Sequence, residues 1–319
     1  MNKEKIIEYV LESPYNTNKI ILKQMLEDYK GSDGPDVPIV PSEPEYPELT
    51  TGSDWFPADS SGNPIHPNAA GENKSYFTSI RIVDSYTPVG DENSSWVVDK
   101  NKDGSITVYH KNKELIIAGN SSGKIRVGES AVGMFKDFVN IVNISGLNLL
   151  DISKMTVKNL DSCFRKCRTL KAVDISAWDA SEVTNMENMF SGCRALEAVC
   201  MPDCELTANP TTVNMFNTCL SLKQVNFSRG LKSISSGTFF ACRSLENVHG
   251  LSEVTSIGDT AFYYTPVAIS DLDGSKINSV GNYGFGFSGI EDATDLSGVS
   301  LDNVGTLGTR NKRWNSAEL

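Results

Sequence analysis

Histidine is scarce in this chain and basic residues are outnumbered. Among 319 residues there are 3 histidines, and 29 lysines and arginines stand against 40 aspartates and glutamates, a net charge of −11. That deficit argues against a nucleic-acid groove, whose affinity comes from basic side chains neutralising phosphates. The short basic run from Thr309 to Arg313 reads as a solvated end. His66, His110 and His249 have no evident nucleophile or carboxylate partner. No G-x-S-x-G, phosphate-binding loop or dinucleotide fingerprint occurs either. The chain is therefore read as a non-enzyme with no catalytic residue, cofactor or metal.

Long apolar runs are also missing, and none reaches the roughly 18 residues that a membrane-spanning helix needs. The opening MNKEKIIEYV carries acidic residues and no long apolar core, so no cleaved signal peptide is expected. The seven cysteines are too regularly placed to suggest a disulfide framework. Four of them, Cys167, Cys193, Cys219 and Cys242, form one column with Thr265 and Ser288, at gaps of 26, 26, 23, 23 and 23 residues. They are expected to be buried free thiols. Zinc is not expected at the pairs Cys163 with Cys167 and Cys200 with Cys204, whose thiol directions are set by packing.

That column marks a repeat running from about Leu147 to Leu296. Phe164, Phe190 and Phe216 each precede a column cysteine by three residues, and Leu170, Leu196 and Leu222 each follow one by three. The pairs Val173 and Ile175, Val199 and Met201, and Val225 and Phe227 keep the step of two of a strand with one inward face. Leu147, Leu150 and Ile152 read as the first such strand. Val157, Leu160, Cys163 and Phe164, then Val183, Met186, Met189 and Phe190, fall at offsets 0, 3, 6 and 7, which predicts a short helix in each unit. Thr184 to Glu187 has capping-box spacing there. A unit of this size cannot bury its own apolar face, so units must stack into a solenoid with a shared core.

The segment VDISAWDASEVTNMENMFSGCRALEAV, Val173 to Val199, resembles the leucine-rich repeats of the BspA-like surface proteins. VTSIGDTAFYYT from Val254 and INSVGNYGFGFS from Ile277 resemble the companion repeat type of that family. The resemblance covers about residues 140 to 296. It implies an adhesion or protein-binding module in which Trp178, Phe190, Cys193, Phe262 and Phe285 are framework. The fold class expected is an α/β leucine-rich-repeat solenoid with a small β module and a short helical N-terminus.

The organisation read from the sequence is residues 1–30 as a helical anchor or oligomerisation element, 31–75 as a Pro/Gly/Ser-rich linker, 76–130 as a small β module or N-terminal cap, 131–300 as the solenoid and 301–319 as a C-terminal cap and tail. Trp55 and Phe56, inside the linker, are expected to dock locally rather than to form a sugar platform. Asp99, Asn101, Asp103, Gly104 and Ser105 match the start of a calcium loop, but His110 stands where its glutamate belongs, so a hairpin turn is expected. The stretch IIEYVLESPYNTNKIILKQMLEDY is similar to the start of some phage structural proteins of gut bacteria.

Two functions remain open at this point. One is a recognition or adhesion protein that binds a protein or surface glycan through Lys171, Asp174, Glu197, Lys223, Gln224, Asn226, Glu246 and Asn247, the outward positions of the strands. The other is a phage virion component anchored to virion proteins by residues 1–30. Exposure on a virion or outside the cell by a non-classical route is the expected location, with the cytoplasm as the alternative. The inward and outward assignment is directly testable. Phe190→Ala should cost about 3–5 kcal/mol, and Lys223→Ala under about 0.5 kcal/mol; equal shifts in denaturant midpoints would sink it.

Overall fold

The computed structural model describes residues 46–52, 54–56, 74–266 and 276–288. They fall in one compact unit and share a single hydrophobic cluster from Leu49 to Phe285. The expected helices of residues 1–30 lie outside the described residues.

At the N-terminal end, β1 (Ser79–Val83), β2 (Ser94–Val97), β3 (Thr107–Lys111), β4 (Glu114–Ala118) and β6 (Asn143–Ser145) form a mixed sheet in the order β2-β3-β4-β1-β6. β3 runs antiparallel to β2 and β4, whereas β1 is parallel to both β4 and β6. Ile80, Ile82, Leu115 and Ile117 face the core, as period-two alternation requires. Gly146 ends β6 at φ 79°, and a Cβ there would sit 2.0 Å from the Ile82 carbonyl oxygen, so only glycine lets the chain turn this close to β1.

Part of the proline-rich segment also packs here, which a structureless connector would not do. Leu49 N–H donates to Arg126 O (2.8 Å) and Thr50 N–H to Val98 O (3.0 Å), which places this segment against β5 (Ile125–Arg126); β5 in turn pairs with β7 (Leu150–Asp151). Trp55 and Phe56 are buried, and Trp55 stacks on Phe138 at 5.8 Å and donates to Met134 O. The local docking expected of Trp55 and Phe56 is thus found; the pairing around Leu49 was hidden by composition, because a few apolar residues among prolines suffice when a pocket receives them. Lys74 closes the pocket with its ammonium 5.1 Å from the Phe138 centroid, and burial lowers its pKa to about 8.

The solenoid follows. Its strands β8 (Ala172–Asp174), β9 (Ala198–Cys200), β10 (Gln224–Asn226) and β12 (Asn247–His249) form one parallel sheet, with Val173, Val199, Val225 and Val248 inward. A second parallel ladder joins Asn159, Asn185 and Thr211 and continues in β11 (Ser233–Ile234), β13 (Ser256–Ile257) and β14 (Ser279–Val280). Through the core runs a column of seven phenylalanines, Phe135, Phe164, Phe190, Phe216, Phe239, Phe262 and Phe285, whose successive centroids are 5.2–5.4 Å apart. The phenylalanine column therefore reaches upstream of the strand expected to open the repeat. Ile141 and Ile144 follow Phe135 as Leu170 and Val173 follow Phe164, so the first strand of the repeat is β6, not Leu147 to Ile152. A first spacing of 29 residues, where the ruler has 26, concealed it.

No α-helix occurs among the described residues, and the expected helix in each unit is a run of tight turns. Two residues per coil, four apart, have left-handed backbone: Ser162 and Lys166, Asn188 and Gly192, Asn214 and Thr218. Such residues break the helical hydrogen-bond series. Bonds three residues back close each turn, such as Cys163 N–H to Leu160 O and Cys167 N–H to Phe164 O. Alternate amides instead reach the following coil: Leu160, Ser162, Phe164 and Lys166 donate to Asn185, Glu187, Met189 and Ser191 at 2.8–2.9 Å. Val157 is 44% exposed, off the apolar face assigned to it, and Thr184 Oγ1 bonds Lys158 O instead of capping a helix.

The ruler shortens from 26 to 23 residues after Thr211, and the ladder changes hand there. In the longer coils the amide four residues before the core phenylalanine points forward, as in Met186 N–H to Thr211 O; in the shorter coils its counterpart points back, as in Gly258 N–H to Ile234 O. Two hydroxyls patch the change: Thr212 N–H donates to Ser235 Oγ (3.0 Å) and Ser235 N–H to Thr212 Oγ1 (3.1 Å). Thr238 Oγ1 completes the buried cluster at 3.0 Å from Thr212 Oγ1. Thr212→Val keeps the shape but removes the acceptor for the Ser235 amide, and should cost about 1–3 kcal/mol in denaturant unfolding. Thr212→Ser should cost less than half as much; equal losses would mean the hydroxyl is not what matters.

Candidate functional site

Of the eight outward residues named from the strand pattern, Asp174, Gln224, Asn226 and Asn247 lie on the strands of one sheet, and Lys171, Glu197, Lys223 and Glu246 each stand one residue before a strand, in register from coil to coil. Backbone bonds fix the order: Glu197 N–H donates to Lys171 O (2.8 Å), Lys223 N–H to Glu197 O (3.2 Å) and Glu246 N–H to Lys223 O (2.8 Å). Lys171, Glu197, Lys223 and Glu246 thus form a first column that alternates in charge, and Lys223 Nζ lies 3.4 Å from Glu197 Oε2. Beside it runs a second column of Ala172, Ala198, Gln224 and Asn247, and beyond the inward valines a third of Asp174, Cys200, Asn226 and His249. Asn247 is half-buried and the other seven named residues are exposed.

The face is partly pre-ordered. Gln224 Nε2 donates to Asn226 Oδ1 (2.9 Å), fixing two long side chains on one strand. Asp174 Oδ1 accepts from Ser176 Oγ (2.6 Å) and Ser176 N–H (3.0 Å), and these bonds hold its carboxyl below the ordinary carboxylate range. Asp151 with Ser153 and Asp179 with Ser181 make the same closure, so it is a feature of the repeat rather than of a ligand site. Cys200 and His249 join the face without having been singled out; reading the strand as outward at every second position would have found both.

The other candidates resolve into structure. Asp99 is buried between β2 and β3, where its carboxylate accepts from Asp103 N–H (2.8 Å) and Gly104 N–H (2.9 Å), so the calcium-like segment is a hairpin turn whose acidic group is engaged by backbone. Cys167, Cys193, Cys219 and Cys242 each donate an Sγ–H to the carbonyl of the preceding coil's phenylalanine at 3.0–3.1 Å, and Thr265 donates its hydroxyl to Phe239 O. This explains why the column accepts cysteine or threonine: it requires a small donor. His110 packs against Phe77 at 5.1 Å, and His66 lies outside the described residues. Among the described residues no group of three or more His, Cys, Asp or Glu is placed to hold a metal ion, and no helix is long and apolar enough to cross a membrane.

On the turn side the shorter coils carry aromatics that the pattern reading passed over. Phe240 stacks on Tyr263 (5.5 Å), and Tyr264 stacks on Phe287 (4.9 Å). Arg165, Ser191 and Asn217 stand at the position of Phe240 and Tyr263 in the longer coils.

Two family models match the chain. Residues 212–301 match the BspA type leucine-rich repeat region, in six copies, and residues 130–240 match a Mycoplasma protein family of unknown function, DUF285. No curated protein and no solved structure matches. Residues 212–301 are therefore a BspA-type leucine-rich-repeat region, a non-catalytic module of the protein-binding kind. Neither model reaches residues 1–30, and neither match is to a phage structural protein.

Burial separates the seven thiols. Desolvation pushes Cys193 up to about 12 and raises Cys163, Cys167, Cys219 and Cys242 as well. Cys204 is half-buried and raised, and Cys200 is exposed. A thiolate-selective reagent should therefore label Cys200 first, Cys204 more slowly and the remaining five only on unfolding. Fast labelling of any column cysteine in the native protein would contradict the packing described.

Proposed function

We propose that the chain is a recognition or adhesion protein whose β8-β9-β10-β12 face binds a protein or a surface glycan. The observation that carries the reading is the division of labour along each strand. The inward valine serves the core and most of the flanking side chains are exposed, and three columns of them repeat in register over four coils. A rigid array of this kind binds by shape and by hydrogen bonds that need little reordering, which lowers the entropic cost of association. The match to a repeat family of the protein-binding kind favours a protein over a glycan.

The test uses the full chain against a panel of immobilised cell-surface proteins and glycans. A variant carrying Gln224→Ala, Asn226→Ala and Glu246→Ala should lose at least about tenfold in affinity for the captured ligand, with an unchanged melting temperature. Arg165→Ala, on the turn side, should bind as the parent does. If the face variant binds normally and the turn-side variant fails, recognition belongs to the other side of the solenoid.

A further inference from the structure

We infer that the strand face pairs with the same face of a second copy of this chain. The inference rests on the reading of that face as the recognition surface and names its partner. Consider a two-fold axis parallel to the strands, lying between β9 and β10 and in the plane where two copies meet. It keeps each column opposite itself and reverses the order of the coils. A column of four then meets its own reverse, so the first member faces the fourth and the second faces the third, which is the geometry of an isologous contact.

The three columns satisfy this operator together. In the charged column, which stands one residue before the strands, Lys171 faces Glu246 of the second copy and Glu197 faces Lys223, so all four contacts join opposite charges. In the second column Ala172 faces Asn247 and Ala198 faces Gln224, which sets two short side chains against two long ones. In the third, Asp174 faces His249 and Cys200 faces Asn226, so no like charges meet. Alternating charge along the first column alone would follow from cross-strand pairing within one copy. The small-against-large match of the neighbouring column has no such cause, since Ala172 and Ala198 gain nothing from each other. Adjacent strands are about 4.8 Å apart, so the paired surface is narrow and well below the roughly 800 Å² per partner of a standard interface. The pair is therefore weak and sensitive to salt.

Sedimentation equilibrium of the full chain at low ionic strength tests it. The parent should show a concentration-dependent monomer and dimer that shift to monomer as salt is raised. Lys223→Glu combined with Glu246→Lys opposes like charges at all four contacts and should be monomeric. Lys171→Glu combined with Glu197→Lys does the same and should also be monomeric. Mixed together, the two variants again present opposite charges at every contact and should form a heterodimer, which also shows that both are folded. The chain with all four substitutions should dimerise as the parent does. A parent that stays monomeric to high micromolar concentration, a half-exchanged variant that dimerises like the parent, or a mixture that fails to associate each overturns the proposal. The reading of the face as a binding surface fails separately, when the Gln224, Asn226 and Glu246 variant keeps its captured ligand; a monomeric parent whose ligand is lost in that variant leaves recognition standing and removes only the second copy as its partner.

Discussion

Each phenylalanine of the core column carries a carbonyl that water cannot reach, and the stack depends on how that acceptor is satisfied. Phe164 O takes Cys167 N–H from its own turn and Cys193 Sγ from the following coil; Phe190 O takes Cys193 N–H and Cys219 Sγ in the same way. The turn's own amide satisfies one lone pair of that carbonyl and the following coil's thiol the second, so each coil's acceptors are filled completely only by its neighbour. Ring stacking at just over 5 Å then fixes the separation of coils, and the strand face inherits its regular spacing from a core it does not touch.

The period, the phenylalanine and cysteine columns and the inward valines were legible because each is a direct consequence of one residue recurring at one place. The helix was misread because apolar offsets of 0, 3, 6 and 7 describe a run of tight turns as well as a helix. The discriminating signal lay two residues either side of the phenylalanine, where Asn188, Gly192, Asn214 and Gly237 favour left-handed backbone. Val157 shows the limit of counting offsets, since a turn ladder does not return to one face every 3.6 residues. The docking of Trp55 and Phe56 was legible from two aromatics standing among prolines, but where they dock was not: the partners Met134 and Phe138, like the partner Val98 of the neighbouring Thr50, are distant in sequence, and nothing local announces them.

The face itself was half legible. Their place between the core positions assigned eight residues to it, but their grouping into columns requires the register between coils, which the change from 26 to 23 residues disturbs. Thr212 and Ser235 absorb that change inside the core, on the side of the coil where the ladder reverses. Because the correction is made there, Gln224 and Asn247 remain opposite each other across β10 and β12. The two repeat types are thus joined without a step in the exposed sheet.

The turn ladder has one further consequence. Within two residues of each core phenylalanine, every amide that bonds between coils points from an earlier coil to a later one, from Gly133 to Asp161 at one end to Tyr264 to Gly286 at the other. Parallel strands exchange bonds in both directions, as the flanking ladder does through Gly258 and Gly281, but this run of turns does not. Its peptide dipoles add along the stack as they do along a helix, giving the molecule an electrical head and tail: partial positive charge accumulates toward the later coils and partial negative charge toward the cap. The solenoid is in this sense a single long dipole assembled from pieces too short to be helices.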